Sequence, residues 1–170
     1  TYPYRRSNHF QEWLTQFQGR ESTIIPTEIF DAIAGELRKR RLPKESLTET
    51  GLKSVLKALR LNKYYEHIPY LLHAITGKKP ITLSNDVEEQ LKQMFQSIQV
   101  PFAIAVKRVA PQRRNFLSYS YVLRKFSELL ELDDIATKFP LLKSREKLHV
   151  QDVIWKDICK QLNWRYIPSM

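Results

Sequence analysis

Three stretches of this chain concentrate groups that could do chemistry, and all three are cationic. Arg38-Lys39-Arg40-Arg41 is the densest charge run. Lys107, Arg108, Arg113 and Arg114 stand around Pro111 in KRVAPQRR, and Lys143, Arg145 and Lys147 follow one another at alternate positions. What such groups offer is ionic contact with phosphate oxygens. The whole chain leans the same way, with 28 Lys+Arg against 18 Asp+Glu and a net charge of +10. That balance favours a polyanionic partner, either nucleic acid or an acidic membrane surface. Each run also has a plainer reading. Cations at a helix C-terminus complement its dipole, although one or two would serve and four in a row repel one another. KRVAPQRR reads equally as a solubilising surface loop or as a flexible loop gripping a phosphate backbone.

Residues for catalysis or metal binding are not arranged for it. His9, His67, His73 and His149 have no helical metal-pair spacing, and Cys159 is the one cysteine. It can form no internal disulfide, so a reducing compartment is expected. On the apolar side of its predicted helix it reads as a small buried hydrophobe. The four glycines, at positions 19, 35, 51 and 77, are too scattered for a phosphate-cradling loop, and no GxSxG occurs. Glu88-Glu89 and Asp133-Asp134 lie near predicted helix starts, where the dipole accounts for them. No catalytic residue, metal ligand or small-molecule substrate is therefore expected. No apolar run approaches the ~20 residues that span a bilayer, and TYPYRRSNHF lacks the apolar centre of a signal peptide. No membrane partner is expected.

The elements that must position these cations read as helices, and 42% hydrophobic residues suffice for a core. Ser7 or Asn8 is predicted to cap a first helix with Phe10, Trp13, Leu14 and Phe17 as its core face and Gly19 as its end. A second starts at Pro26, with Glu28 and Asp31 in its first turn and Ile29, Phe30, Ile33, Ala34 and Leu37 facing inward. Thr48 opens a third, carrying Leu52, Val55, Leu56 and Leu59. Leu61 to Gly77 is helical but broken or restarted at Pro69. Its Tyr64, Tyr65 and Tyr70 read as half-buried contacts, with base stacking as the alternative. Ser84 caps a fifth helix. Phe102 to Val109 fits either a strand or a helix.

Ser118 is predicted to cap the clearest amphipathic helix, with Tyr119, Val122, Leu123, Phe126, Leu129 and Leu130 inside and Arg124, Lys125, Ser127 and Glu128 outside. Asp133 and Asp134 cap a short helix that stops before Pro140. A last helix, from about His149, places Val150, Val153, Ile154, Ile158 and Leu162 on one stripe, widened by Trp155 and Cys159. The expected fold is all-α: a single multi-helical domain over residues 1–170, with about seven or eight helices in two layers.

Several long segments carry a resemblance. They are NFLSYSYVLRKFSELLEL (Asn115 to Leu132), FPLLKSREKL (Phe139 to Leu148) and QDVIWKDICKQLNWRYIPS (Gln151 to Ser169). NHFQEWLTQFQGRE (Asn8 to Glu21) and LNKYYEHIPYLLHAITG (Leu61 to Gly77) extend it upstream. The chain resembles the viral late transcription factors of the poxvirus late transcription factor 3 type, found across large cytoplasmic and nuclear DNA viruses. The resemblance implies promoter binding or polymerase recruitment in late viral gene expression. Its setting would be the host cytoplasm or viral factory, with packaging in the virion as a further expectation.

Members commonly carry a zinc ribbon ahead of the helical region. This chain has one cysteine, so no zinc ligand carries over; it is the helical part alone or a divergent member. Zinc is expected only in an upstream ribbon of a longer protein. A ribbon followed by helices is also similar to the cellular B-type initiation factors, an analogy at fold level that suggests a cyclin-like helical arrangement. The resulting expectation is a domain without chemistry of its own that binds DNA, viral RNA polymerase or other late transcription factors. Arg38, Lys39, Arg40, Arg41, Lys107, Arg108, Arg113, Arg114, Lys143, Arg145 and Lys147 would supply phosphate contacts. The alternatives are a protein-interaction module that never touches DNA and a structural virion component packaged with the genome. Basic runs gathered on one face favour DNA; a large exposed apolar patch favours the interaction module.

Overall fold

The computed structural model describes residues 2–20 and 24–169, with side chains from Tyr4 onward. Nine α-helices make up the described chain, with no strand among the described residues. They are α1 (Tyr2–Phe17), α2 (Thr27–Lys39), α3 (Glu49–Ala58), α4 (Ile68–Thr76), α5 (Asn85–Ser97), α6 (Gln99–Val109), α7 (Tyr119–Leu129), α8 (Asp133–Ala136) and α9 (Arg145–Leu162). Short 3-10 turns stand at Lys44–Ser46 and Asn62–His67. The helices form two compact units, one of Gln11–Leu83 and one of Thr1–Phe10 with Ser84–Met170.

In the Gln11–Leu83 unit the local signals act as read. The Thr48 hydroxyl accepts the Gly51 N–H at 3.1 Å, and α3 buries Leu52, Val55 and Leu56 against Ile33, Leu37, Ile68 and Leu71. The helical region after Leu61 restarts at Ile68 with Pro69 in its first turn, where no amide donor is needed. Gly19 and Gly77 close α1 and α4 at φ +67° and +75°. Pro26 precedes α2 rather than opening it, and Glu28 alone supplies first-turn negative charge; Asp31 lies further along. Trp13, expected in the core, is 38% exposed. The core stripe of α1 is Phe10 and Leu14, and Trp13 falls on its flank.

The end of α2 uses an arginine where glycine is usual. Arg41 adopts φ +56°. Its N–H donates to Arg38 O at 3.0 Å, and the Leu42 N–H donates to Leu37 O at 2.9 Å. This pair of bonds turns the chain back and lays Leu42 against α2.

The other unit departs further from expectation. α1 starts at Tyr2, so Ser7 and Asn8 lie inside it instead of capping it. Tertiary contact outweighs their weak helix propensity: the Arg6 guanidinium lies over the rings of Phe116 (4.7 Å) and Phe102 (5.3 Å) and donates to Gln99 Oε1 at 3.1 Å. Phe10 stacks on Phe95 at 4.2 Å between centroids. Residues 102–109 are helical, with Pro101 in the first turn of α6.

α7 is buried nearly all round. Lys125 and Ser127, expected on its outer face, are in the core beside Tyr121, Val122, Leu123 and Phe126. Ser118 holds the N-cap position without a side-chain bond; its backbone N–H instead donates to Gln151 Oε1 at 3.1 Å. Asp133 and Asp134 lie inside α8 and cap nothing, though they suit its positive end. α9 begins at Arg145 and not near His149, because the Ser144 hydroxyl accepts the Lys147 N–H at 3.3 Å. Its buried stripe is Leu148, Gln151, Asp152, Ile154, Trp155, Ile158 and Cys159, and Val150 is left 39% exposed.

Candidate nucleic-acid interface

The loop between α6 and α7 is shaped by one of its own cations. Arg113 Nε donates to Asn115 O at 2.9 Å, and its Nη2 donates to Phe116 O at 3.1 Å. Burial holds its pKa below the usual arginine value. Arg113 is thus a scaffold for the turn that presents the exposed Arg114.

That turn faces the start of α9. Arg113, Arg114, Leu142, Glu146, Lys147 and Val150 share a groove of about 550 Å³. Two basic stretches far apart in sequence are therefore brought to one place. Lys143 and Arg145 are exposed in the same segment but are not part of the groove lining.

The electrostatics of this corner are unusual. Arg145 and Lys147 stand in the first turn of α9, whose free amides already make a partial positive charge. Each cation there opposes the helix dipole by about 0.3–1 kcal/mol at an exposed site, and Glu146 offsets only part of that. Helix electrostatics do not explain these cations, whereas an anion at the same corner would meet side-chain charge and helix amides together.

The remaining predicted contacts are placed otherwise. Lys107 and Arg108 belong to the last turn of α6, where the dipole favours them, and not to a loop. Arg108 also pairs with Asp157 at 3.5 Å. The Arg38–Arg41 run belongs to the Gln11–Leu83 unit. Within it Arg40 pairs with Glu36 at 2.8 Å and donates to Ser54 Oγ at 3.1 Å, fastening α2 to α3. Arg38 and Lys39 occupy the last turn of α2 and are exposed.

A polar cluster that no sequence pattern announced lies inside the same unit as the groove. Lys125 is 1% exposed. Its Nζ donates to Ile167 O at 2.6 Å and lies 3.4 Å from Glu128 Oε1 and 4.0 Å from Asp152 Oδ1. Asp152 also accepts from the Tyr121 hydroxyl at 2.5 Å, from the Ser169 N–H at 3.1 Å and from Ser169 Oγ at 2.7 Å. Burial, with the bond to Asp152, drives the Tyr121 pKa far up. The cluster pins residues 163–169 onto α7 and α9. Trp164 adds ring contacts to Phe126 and Trp155 at 6.3 and 6.2 Å. The only sequence trace was the Lys125–Glu128 spacing, which looks like any surface pair.

Among the described residues no three of His, Cys, Asp and Glu come together to hold a metal ion. Cys159 is buried, and burial pushes its thiol up to about 12. No helix among the described residues is long and apolar enough to cross a membrane.

Comparison with known proteins finds viral relatives over nearly the whole chain. A protein of Acanthamoeba polyphaga mimivirus named "Putative transcription factor" is 47% identical over 170 residues, which is 100% of this chain and 39% of that protein. One of the same name from Paramecium bursaria Chlorella virus 1 is 44% identical over 168 residues, 98% of this chain and 46% of its own length. Another, from Invertebrate iridescent virus 6, is 26% identical over 191 aligned positions, covering 99% of this chain and 48% of itself. The chain thus spans less than half of each of these relatives. No solved structure matches it. Residues 1–166 match the family described as "Poxvirus Late Transcription Factor VLTF3 like", and this basic, all-helical chain belongs to that family of viral transcription factors.

Proposed function

We propose that this chain is the DNA-engaging part of a viral late-gene transcription factor, holding promoter DNA by its phosphate backbone while viral RNA polymerase or other late factors are recruited. The observation that supports this most is the groove in which Arg114 and Lys147, from distant stretches, meet at the positive end of α9. Arg114 and Lys147 contact phosphates, Lys143 and Arg145 extend the contact along the strand, and Arg113 fixes the loop. Binding is directed at the phosphate backbone, because these groups are cations on a loop and at a helix start, where side-chain charge and free helix amides suit phosphate oxygens. The function needs no chemistry from the chain, in keeping with relatives named as transcription factors.

Fluorescence anisotropy with a short duplex DNA across a salt series tests this. These four phosphate contacts give a slope of log affinity on log salt of about −4. Changing Arg114 and Lys147 to Ala together should flatten that slope by about two, roughly one per lost contact. Arg113 is left intact so that the loop keeps its shape. A slope near zero in the parent chain, or an unchanged slope in the variant, would sink the proposal.

A further inference from the structure

The Gln11–Leu83 unit has a hollow of a different character. The last turns of α2, the turn that follows and the end of α4 enclose about 470 Å³. Its lining is mostly apolar, with Phe30, Ala34, Leu37, Leu42 and Ile75 among it. The lining also includes Arg38 and Lys44, and Lys39 and Arg41 are exposed beside them in the chain. The left-handed turn at Arg41 builds this hollow, since it folds Leu42 back against Leu37. Arg40 is committed to Glu36 and Ser54. Among the described residues, no ion pair involves Arg38, Lys39, Arg41 or Lys44.

We infer that this hollow docks an acidic segment of a partner protein that carries a bulky aliphatic or aromatic side chain. The charge pattern selects the occupant. Two cations at the hollow, Arg38 and Lys44, neither held in an ion pair among the described residues, complement carboxylates flanking an apolar anchor. A phosphate backbone would meet the cations but leave the apolar lining without a partner. The volume suits one or two large side chains and is in the range of small binding pockets. Anchors of that kind, seated in a desolvated hollow, carry most of the affinity at protein interfaces, with surrounding charge setting specificity. The inference does not depend on DNA binding by the Arg114–Lys147 groove. It adds a second partner class, a protein of the transcription machinery, held by different residues.

The test uses the full chain and three labelled synthetic peptides in anisotropy titrations. The probe is a short helix-forming peptide with Leu and Phe at three- and four-residue spacing and Glu and Asp between them. One comparator keeps the charge but replaces Leu and Phe by Ser; the other replaces the acids by Gln and Asn. The parent peptide should bind saturably, and each comparator about tenfold more weakly or worse. Ala34→Met, which fills the hollow from a half-buried helical position, should weaken the parent peptide about tenfold and leave duplex DNA affinity unchanged. Arg38→Glu with Lys44→Glu, which leaves the apolar lining intact, should abolish peptide binding. Equal binding by the Ser comparator would mean charge attraction alone and would overturn the inference. So would displacement of the peptide by duplex DNA together with equal weakening of DNA by Ala34→Met, which would mark a nucleic-acid site. Absence of saturable binding would overturn it as well. Peptide binding by a chain that fails to bind DNA would remove the DNA proposal and leave this one standing.

Discussion

Along α9 the chain treats positive charge in two opposite ways. At the helix start, Arg145 and Lys147 are exposed on the end that electrostatics disfavours. Further along, Asp152 takes part in enclosing Lys125, which is cut off from water and surrounded by oxygen partners. The first arrangement is left unsatisfied within the chain, and the second is closed upon itself. A charge that helps hold a fold finds partners inside that fold; a charge kept where it costs stability asks for a partner outside. On that criterion Arg40, Arg113 and Lys125 serve structure, and Arg145 and Lys147 are the cations left for the binding proposed above.

The comparison breaks most visibly at Lys125. Removing it as Lys125→Met takes a cation from the carboxylates of Asp152 and Glu128, of which Glu128 keeps Arg124 at 3.7 Å, and frees the Ile167 carbonyl. Deleting one partner of a buried pair costs about 3–5 kcal/mol, and the partial exposure of Glu128 and Asp152 places the expected loss near the lower figure, about 3 kcal/mol. Urea unfolding measures it. The control Tyr121→Phe, which deletes only one hydrogen bond to Asp152, should cost about 1–2 kcal/mol. A Lys125→Met protein as stable as the parent would show that the cluster is not what holds the fold.

A second consequence concerns alkaline pH. Burial raises the Cys159 thiol from 9.0 to about 12, and the nearby Lys125 charge pulls the other way. Between those values the unfolded chain has lost the thiol proton and the folded chain has kept it. The folded state then binds more protons, so this contribution to stability is whole below pH 9.0 and falls as pH rises toward about 12. Tyr121 acts in the same direction at higher pH. Cys159→Ala should therefore make the decline of stability above pH 9.0 shallower without abolishing it. Denaturation midpoints measured at intervals across that range decide the matter, and an identical decline in the variant would refute it. The same burial predicts slow reaction with thiol reagents in the folded protein.

These features differ in how far they could be read from sequence. Thr48, Ser84, Gly19 and Gly77 announce helix ends because caps and left-handed turns are settled within four or five residues. The all-α class was legible for the same reason. Lys125 was misplaced because what covers it, the chain around Ile167, is remote in sequence, and the spacing of α7 alone cannot reveal a second covering layer. Arg41, Arg60 and Glu131 adopt φ of +56°, +57° and +58° at helix ends. Sequence gives no sign of this, since charged residues at such positions are chosen against propensity. The basic character of the candidate site was plain. Which cations are free was not, because the bonds of Arg40 and Arg113 to Ser54, Asn115 and Phe116 exist only in the folded chain.

The smallest effect is the most discriminating. If Arg145 is retained for binding at the expense of the helix, then Arg145→Glu should do two things of opposite sign. It replaces a cation at the positive end of α9 by an anion, beside a helix start whose Lys147 N–H is already capped by the Ser144 hydroxyl. Exposed charges there are worth about 0.3–1 kcal/mol each and the reversal counts twice, so the variant should be more stable than the parent by about 0.6–2 kcal/mol, read as a small rise in denaturation midpoint. The same change should weaken duplex DNA binding and flatten its salt slope by at least about one. Arg38→Glu in the last turn of α2 reverses the stability term, because a cation there complements the dipole and an anion opposes it. A protein in which Arg145→Glu lowers stability, or raises it while leaving DNA affinity intact, would show that the cations at the start of α9 are not kept for an external anion, and the distinction drawn along that helix would fail.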